Sequence, residues 1–439
     1  MKFSNLPLSL TDMSAPVIGI ASRTQTPKGL RLHIGLFGRR NAGKSSLINA
    51  LTNQKIAIVS DVPGTTTDPV EKACELAPIG PVVFIDTAGV DDVGELGGLR
   101  TERSLAVLGW VDVALIVCDA KALTESELEL IRTVKSTATP TVVVLNKADT
   151  ADAKELIATQ EQVRSLGYEP VTVCASQKLN IDAVREAIVK LAQNAVEPDL
   201  PLLGDLVHPG DTVMLVTPID TGAPKGRMIL PQVQAVREVL DADAKCIVVR
   251  ENRLAETLTN EKEPPAFVVT DSQVVQSVVA QTPKTIPVTT FSIQMAYSKC
   301  DLVEMARGAA MIDFLRPGDK VMICETCSHH PQPDDIGRKK LPRWLAKKVG
   351  GELDIEVVVG KDFPVDLTPY KLILQCGGCV VTRRHMLTRL AQAKRQNIPM
   401  TNYGVAISHL QGVLERALEL HPKALKVFHE AREIFANHF

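Results

Sequence analysis

"RLHIGLFGRRNAGKSSLINAL" spans residues 31 to 51, and its reading decides the fold of the first third of the chain. The apolar run at 32 to 37 predicts a buried strand, Gly38-x-x-x-x-Gly43-Lys44-Ser45 follows it, and the spacing beyond Ser46 is that of an amphipathic helix. A glycine-rich turn between a strand and a helix N-terminus aims several backbone N–H groups at one point, and the helix adds its positive end there. Such a point suits the phosphates of a nucleotide. Lys44 is expected to reach the β and γ oxygens and Ser45 to ligate Mg2+, with Gly38, Asn41, Ala42, Gly43 and Ser46 completing the loop.

Further along, "VVFIDTAG" (82 to 89) predicts a buried strand ending in Asp86-x-x-Gly89. There the carboxylate can hold Mg2+ through water and the Gly89 N–H can meet the γ-phosphate. "TVVVLNKAD" (141 to 149) predicts another strand, ending in Asn146, Lys147 and Asp149. A carboxylate at Asp149 accepts two hydrogen bonds from the N1 and N2 donors of guanine, which adenine cannot supply, so GTP is the expected nucleotide. "TVCASQ" (172 to 177) is expected to support the guanine ring through Ala175 and Ser176. Between the phosphate loop and Asp86, "SDVPGTTTDPV" (60 to 70) predicts a switch loop in which Thr66 closes over Mg2+. Lys44, Thr66 and Gly89 form the expected catalytic set. Val90 follows where many small GTPases carry a water-positioning Gln, so slow intrinsic hydrolysis is expected.

With 439 residues the chain is too long for one core, and three domains are expected. The expected divisions are an unassigned, disordered leader over 1–27, a GTPase domain over 28–197, a small α/β domain over 206–285 and a cysteine-bearing domain over 286–439. The linker before the second domain is marked by the prolines and glycines of "NAVEPDLPLLGDLVHPGDT". Lys plus Arg number 49 against 51 for Asp plus Glu, which offers no general attraction to nucleic acid or to an acidic membrane surface. The apolar runs are strand-length, short of the roughly 20 residues that span a bilayer, so no membrane association is expected. Nine cysteines, with two Cys-x-x-Cys pairs in one region, favour a reducing compartment and a cytoplasmic location over a disulfide framework.

In the last domain "DKVMICE" and "YKLILQCGGC" both predict buried strands that deliver cysteines to their carboxyl ends. Three chemistries suit Cys324-x-x-Cys327 and Cys376-x-x-Cys379: a four-thiolate zinc site, a redox dithiol, or an iron–sulfur cluster. The 48 residues between the pairs exceed the roughly 15 to 20 of a zinc ribbon. A dithiol would leave the Cys-Ser-His-His element unexplained, and an iron–sulfur cluster accepts three or four thiolates with mixed ligation.

The set GRRNAGKS, PGTTTD, DTAG and NKAD resembles the TrmE–Era branch of GTPases, which implies K+ binding at Asn41 in place of an arginine finger. Joined to "CSHHPQPDDIGRKKLPRWL", "CGGC" and "MTNYGVAI", the chain from about residue 28 onward resembles the HydF family of [FeFe]-hydrogenase maturation GTPases. The resemblance implies an α/β protein with a P-loop GTPase domain, a small α/β dimerisation domain and a Rossmann-like, parallel-sheet domain carrying a [4Fe–4S] cluster. It implies a homodimer that receives a transient di-iron unit from radical-SAM maturases and delivers it to apo-[FeFe]-hydrogenase. Cys327, Cys376 and Cys379 fall on the family's cluster thiolates and His329 on the His of its Cys-x-His. Many relatives carry a His before CGGC, where this chain has Gln375. The fourth ligand is left open among His329, Asp334, Cys324 and water. The competing class is a TrmE–Era-like GTPase acting in RNA modification or ribosome assembly with a zinc-binding C-terminal domain, and the near-neutral charge counts against it.

Overall fold

The computed structural model describes residues 27–53, 70–87, 89, 106–137, 139–195, 200–219, 228–326, 335–361 and 363–437. Three sheets organise them. The first contains β1 (Leu32–Phe37), β2 (Val70–Leu76), β3 (Gly80–Asp86), β4 (Val113–Asp119), β5 (Thr141–Asn146) and β6 (Val171–Thr172) in the order β2-β3-β1-β4-β5-β6. Only β2 runs antiparallel to its neighbour. Every residue of β4 is buried, because helices cover both faces of a parallel sheet. Leu47, Ile48 and Leu51 of the helix Lys44–Thr52 pack with Ile181, Val184 and Ile188 on one face. Leu130, Ile131, Val134 and Val163 cover the other. The phosphate loop leaves the carboxyl end of β1, where the chain's crossovers part to β3 on one side and β4 on the other. Ligands of open α/β sheets bind at such a point.

The second sheet holds β7 (Thr212–Val216), β8 (Lys245–Val249), β9 (Phe267–Thr270) and β10 (Val288–Thr290) in the order β10-β9-β7-β8, all parallel. This is the small α/β layer that the strand–helix alternation predicts. Its extent differs from the expected boundary at residue 286. Val288–Thr290 pairs with β9 and so joins the second sheet instead of opening the last one.

The third sheet holds β11 (Lys320–Glu325), β12 (Asp354–Val359), β13 (Leu372–Gln375) and β14 (Met400–Asn402) in the order β12-β11-β13-β14, again all parallel. The two predicted cysteine strands are the central neighbours β11 and β13. The polar stretch "MTNYG" is a strand end and a helix start. Met400–Asn402 forms β14, and the Asn402 side chain caps the helix Tyr403–Leu410 by accepting the Val405 N–H at 3.0 Å. Two helices follow in place of one. Gly412, at φ 72°, sits just past the helix end and separates Tyr403–Leu410 from Leu414–Ala417. No helix among the described residues is long and apolar enough to cross a membrane.

Candidate functional site

At the carboxyl end of β1, the loop carbonyls of Gly38 and Arg39 accept from Lys44 Nζ at 2.9 and 3.0 Å, which holds the ammonium at the mouth of the loop. Ser45 Oγ donates to Asp86 Oδ2 at 2.9 Å, so the two groups expected to serve Mg2+ meet. Burial pushes the Asp86 carboxyl above its ordinary range, with the Lys44 charge and the Ser45 hydrogen bond opposing. Asn146 ties two loops together: its Nδ2 donates to the Ala42 carbonyl at 2.9 Å and its Oδ1 accepts the Ala175 N–H at 3.0 Å. The approach is close enough that a Cβ on Gly43, itself at φ 94°, would meet Asn146 Nδ2 at 2.1 Å, which accounts for glycine there.

Asp149 is exposed and accepts from Cys174 Sγ at 3.0 Å and from Gln177 Nε2 at 3.3 Å. These donors orient the carboxylate beside the Ala175–Ser176 backbone. Ser176 Oγ lies 3.2 Å from Cys174 Sγ in the same turn. Asn41 is exposed in the loop at φ 60°, Ser46 is half-buried on the first helical turn, and Gly89 is half-buried beyond β3. Thr66 and Val90 lie outside the described residues. The structure adds a group that the motifs do not announce. Asp119, at the end of β4, accepts from Arg39 Nη2 at 3.0 Å and from Lys147 Nζ at 3.2 Å. Burial raises the Asp119 carboxyl, but the Lys121 N–H and the Lys147 and Arg39 contacts outweigh it and hold the group below its usual range. An ionisable residue closing an otherwise apolar strand was the available signal.

In the third sheet the strand order reverses between β11 and β13, and the cysteines follow those two strands. Cys376 N–H donates to the Cys324 carbonyl at 2.9 Å, extending the pairing to the first cysteine of the CGGC loop. Cys376 Sγ accepts the Thr326 N–H at 3.2 Å and lies 3.1 Å from Thr326 Oγ1. Gln375 Nε2 donates to the same sulfur at 3.5 Å. Cys379 is half-buried; burial pushes its thiol up, Cys376 adds to this and Lys299 opposes it. Cys324 is fully buried in the core with Met322, Ile373 and Met386, and burial pushes its thiol up to about 12. Its surroundings are those of a small apolar residue. Cys327, His329 and Asp334 lie outside the described residues, and among the described residues no three His, Cys, Asp or Glu side chains gather.

The donor set nevertheless suits a thiolate-bound group. Cys376 sulfur is surrounded by donors, as an anionic sulfur requires. Nearby, the Tyr403 hydroxyl is buried without a hydrogen-bond partner among the described residues. Burial and then the charge of Cys376 push it far above its ordinary value.

The base of the first sheet, opposite the phosphate loop, rests on the segments that flank the CGGC loop. Lys299 is 1% exposed and donates to the carbonyls of Gly29 at 3.0 Å and Val381 at 2.9 Å, pinning the segment before β1 to the residue two beyond Cys379. Lys361 Nζ sits 3.4 Å from the Trp110 ring centroid and pairs with Glu71 on β2. Trp110 stacks on His385 with ring centroids 6.3 Å apart, and Arg384 Nη2 donates to Thr139 Oγ1 at 3.0 Å. His385 is buried beside Arg389 and Lys361, so it stays neutral, well below its ordinary value.

Fold and loop together define a P-loop GTPase head joined to two further parallel-sheet α/β units. Residues 33–147 match the family described as 50S ribosome-binding GTPase, residues 202–300 match the Hydrogen maturase F dimerization domain, and residues 303–420 match the Hydrogen maturase F tetramerization domain. A GTPase domain followed by both Hydrogen maturase F domains makes this a HydF-type GTPase. Its head is 38% identical over 167 residues to the tRNA modification GTPase MnmE of Trichormus variabilis, covering 37% of this chain and 34% of that protein. It is 34% identical over 172 residues to GTPase Der of Wolinella succinogenes, covering 37% and 36%. The chain thus spans about a third of the length of these curated relatives. The Aquifex aeolicus Era structure bound to GDP.AlF4- overlaps 52% of this chain and 97% of its own at 19% identity and a TM-score of 0.32. The G domain of the T. maritima FeoB iron transporter overlaps 37% and 99% at 24% identity and a TM-score of 0.29. The fold assignment rests on the sheet order and on the family matches.

Proposed function

We propose that the protein is a GTP-hydrolysing scaffold that holds a [4Fe–4S] cluster on Cys327, Cys376 and Cys379 and carries a di-iron unit, as cargo, to apo-[FeFe]-hydrogenase. The observation that carries the reading is the pairing, in a chain of this family, of a phosphate loop at one strand-order reversal and a CGGC loop at another. At the first, Lys44 neutralises the β and γ oxygens, Ser45 and Thr66 ligate Mg2+ with Asp86 behind, and the Gly89 N–H meets the γ-phosphate. Asp149 selects guanine, and Ala175 and Ser176 support the ring. Asn41 would hold a K+ ion, which would supply the charge an arginine finger otherwise brings.

At the second reversal, a bound cluster would supply an iron at which a bridging ligand can tether the di-iron cargo. The chain's own part is to aim the Thr326 and Gln375 donors at the Cys376 sulfur. The fourth position belongs to His329, Asp334 or water; the buried setting of Cys324 disfavours it. The residues matched to the dimerization and tetramerization domains support a homo-oligomer, at least a dimer. In this reading it works in the cytoplasm with radical-SAM maturases. To test this, the protein is co-produced with those maturases, purified anaerobically and mixed with apo-hydrogenase. Hydrogen evolution is expected, and its absence with a fully iron-loaded protein would overturn the carrier role.

A further inference from the structure

Gln375 occupies the position before CGGC, so what its side chain does bears directly on the sulfur beside it. The residue is fully buried at the end of β13. Its Oε1 accepts from Arg389 Nη1 at 2.9 Å, and its Nε2 lies 3.5 Å from Cys376 Sγ. The direction of the amide follows from chemistry: a guanidinium has donors and no acceptor, so the oxygen faces Arg389 and the NH2 faces the sulfur. Arg389 is itself fixed. It is 2% exposed, its Nη2 donates to the Gly360 carbonyl at 2.9 Å, and its guanidinium carbon lies 5.0 Å from the Phe363 ring centroid.

We propose that Gln375, locked by Arg389, is a positioning residue that donates a hydrogen bond to the Cys376 thiolate and is not a ligand to iron. The inference rests on the cluster reading above. With its oxygen committed to a guanidinium, the amide presents only N–H to the site, and N–H cannot ligate a metal. A hydrogen bond to a cluster thiolate draws electron density from the iron and favours the reduced state, which raises the reduction potential. The Thr326 N–H acts on the same sulfur from the other strand, so Cys376 carries donors from both sides of the reversal. Arg389 reaches the Cys376 sulfur through the Gln375 amide, and its charge also acts on the buried Cys324 thiol.

The test uses full-length protein reconstituted anaerobically with iron and sulfide, comparing wild type, Gln375→Glu, Gln375→Leu and Arg389→Met. Gln375→Leu removes the donor without adding charge, whereas Gln375→Glu keeps the shape and the Arg389 contact, removes the donor and adds a carboxylate whose charge lowers the potential further. Iron and sulfide content should stay at the wild-type level in Gln375→Glu, with a lower midpoint potential and a shifted iron–thiolate stretching band. Arg389→Met should also lower the potential, because it both frees the amide and removes a buried cation. The response of the cluster spectrum to added imidazole should be the same in wild type and Gln375→Glu. Unchanged potential in Gln375→Glu, or an imidazole response that appears only when Gln375 is replaced, would overturn the inference. Should Gln375→Leu fail to fold, Gln375→Glu and Arg389→Met still decide it. A wild-type chain that binds no cluster would instead count against the scaffold reading.

Discussion

The phosphate loop and the CGGC loop occupy equivalent places, each at the carboxyl end of a strand where sheet order reverses, yet they are built for opposite charges. The loop after β1 gathers backbone N–H groups, a helix N-terminus and Lys44, and so attracts phosphate oxygens. The loop after β13 gathers sulfurs, and Cys376 Sγ accepts from the Thr326 N–H and the Gln375 amide. One fold rule thus places both sites, and the side chains alone decide the ligand. The two ends face apart: the phosphate loop lies at the top of β1, while the cysteine-flanking segments press on its base, roughly 20 Å away for a strand of this length.

That independence can be broken one end at a time. Lys44→Ala is expected to reduce GTP turnover on the order of 10² to 10³-fold and to leave iron content unchanged, as measured by phosphate release and iron assay on one preparation. Loss of iron in Lys44→Ala would show the sites to be interdependent. Asp149→Ala removes two charge-assisted hydrogen bonds to guanine and should weaken GTP binding roughly a hundredfold, by calorimetry, while narrowing the preference over ATP. Smaller still is the monovalent cation effect. Turnover should be faster in KCl than in NaCl, and Asn41→Ala should bring the KCl rate down to the NaCl rate; equal rates in the two salts for wild type would remove K+ from the site.

The smallest effect is expected where the two ends touch. Lys361→Met loses the Trp110 contact and one of the two cations on Glu71, a cost of about 1–2 kcal/mol, read as a lower unfolding midpoint. Burial alone would raise the Glu71 carboxyl, but its hydrogen bonds to Lys28 and Lys361 outweigh it and bring the group from its ordinary 4.5 down to about 2. A carboxyl depressed in the folded state contributes stability that is full above about 4.5 and is lost as pH falls toward about 2. Thermal melts across that window should therefore show a steeper acid loss in wild type than in Glu71→Gln.

Much of the first site was legible because phosphate binding needs backbone geometry, and backbone geometry needs glycines at fixed spacing: Gly38, Gly43, Lys44 and Ser45 announce it. The parallel neighbours β11 and β13 were legible for a related reason, since doubly covered strands are continuous apolar runs. What stayed hidden depends on contacts between distant residues. Nothing near Gln375 in the chain points to Arg389, fourteen residues on, as the group that fixes its amide. Nothing in "GRRNAGKS" or "CDAKAL" pairs Arg39 with Asp119. The contact of Lys361 with Trp110 joins segments that share no motif at all. The polar "MTNYG" misleads because Asn402 serves as a helix cap at the end of a buried strand, and caps and loops draw on the same residues.

The central claim is that the second reversal point holds an iron–sulfur cluster on the family's thiolates. Anaerobic iron and sulfide analysis of the reconstituted wild-type chain tests it most directly, alongside Cys376→Ala. About four irons and four sulfides per chain are predicted for wild type, as a [4Fe–4S] cluster requires, with a marked loss in Cys376→Ala. Stoichiometric zinc with no sulfide would contradict the account.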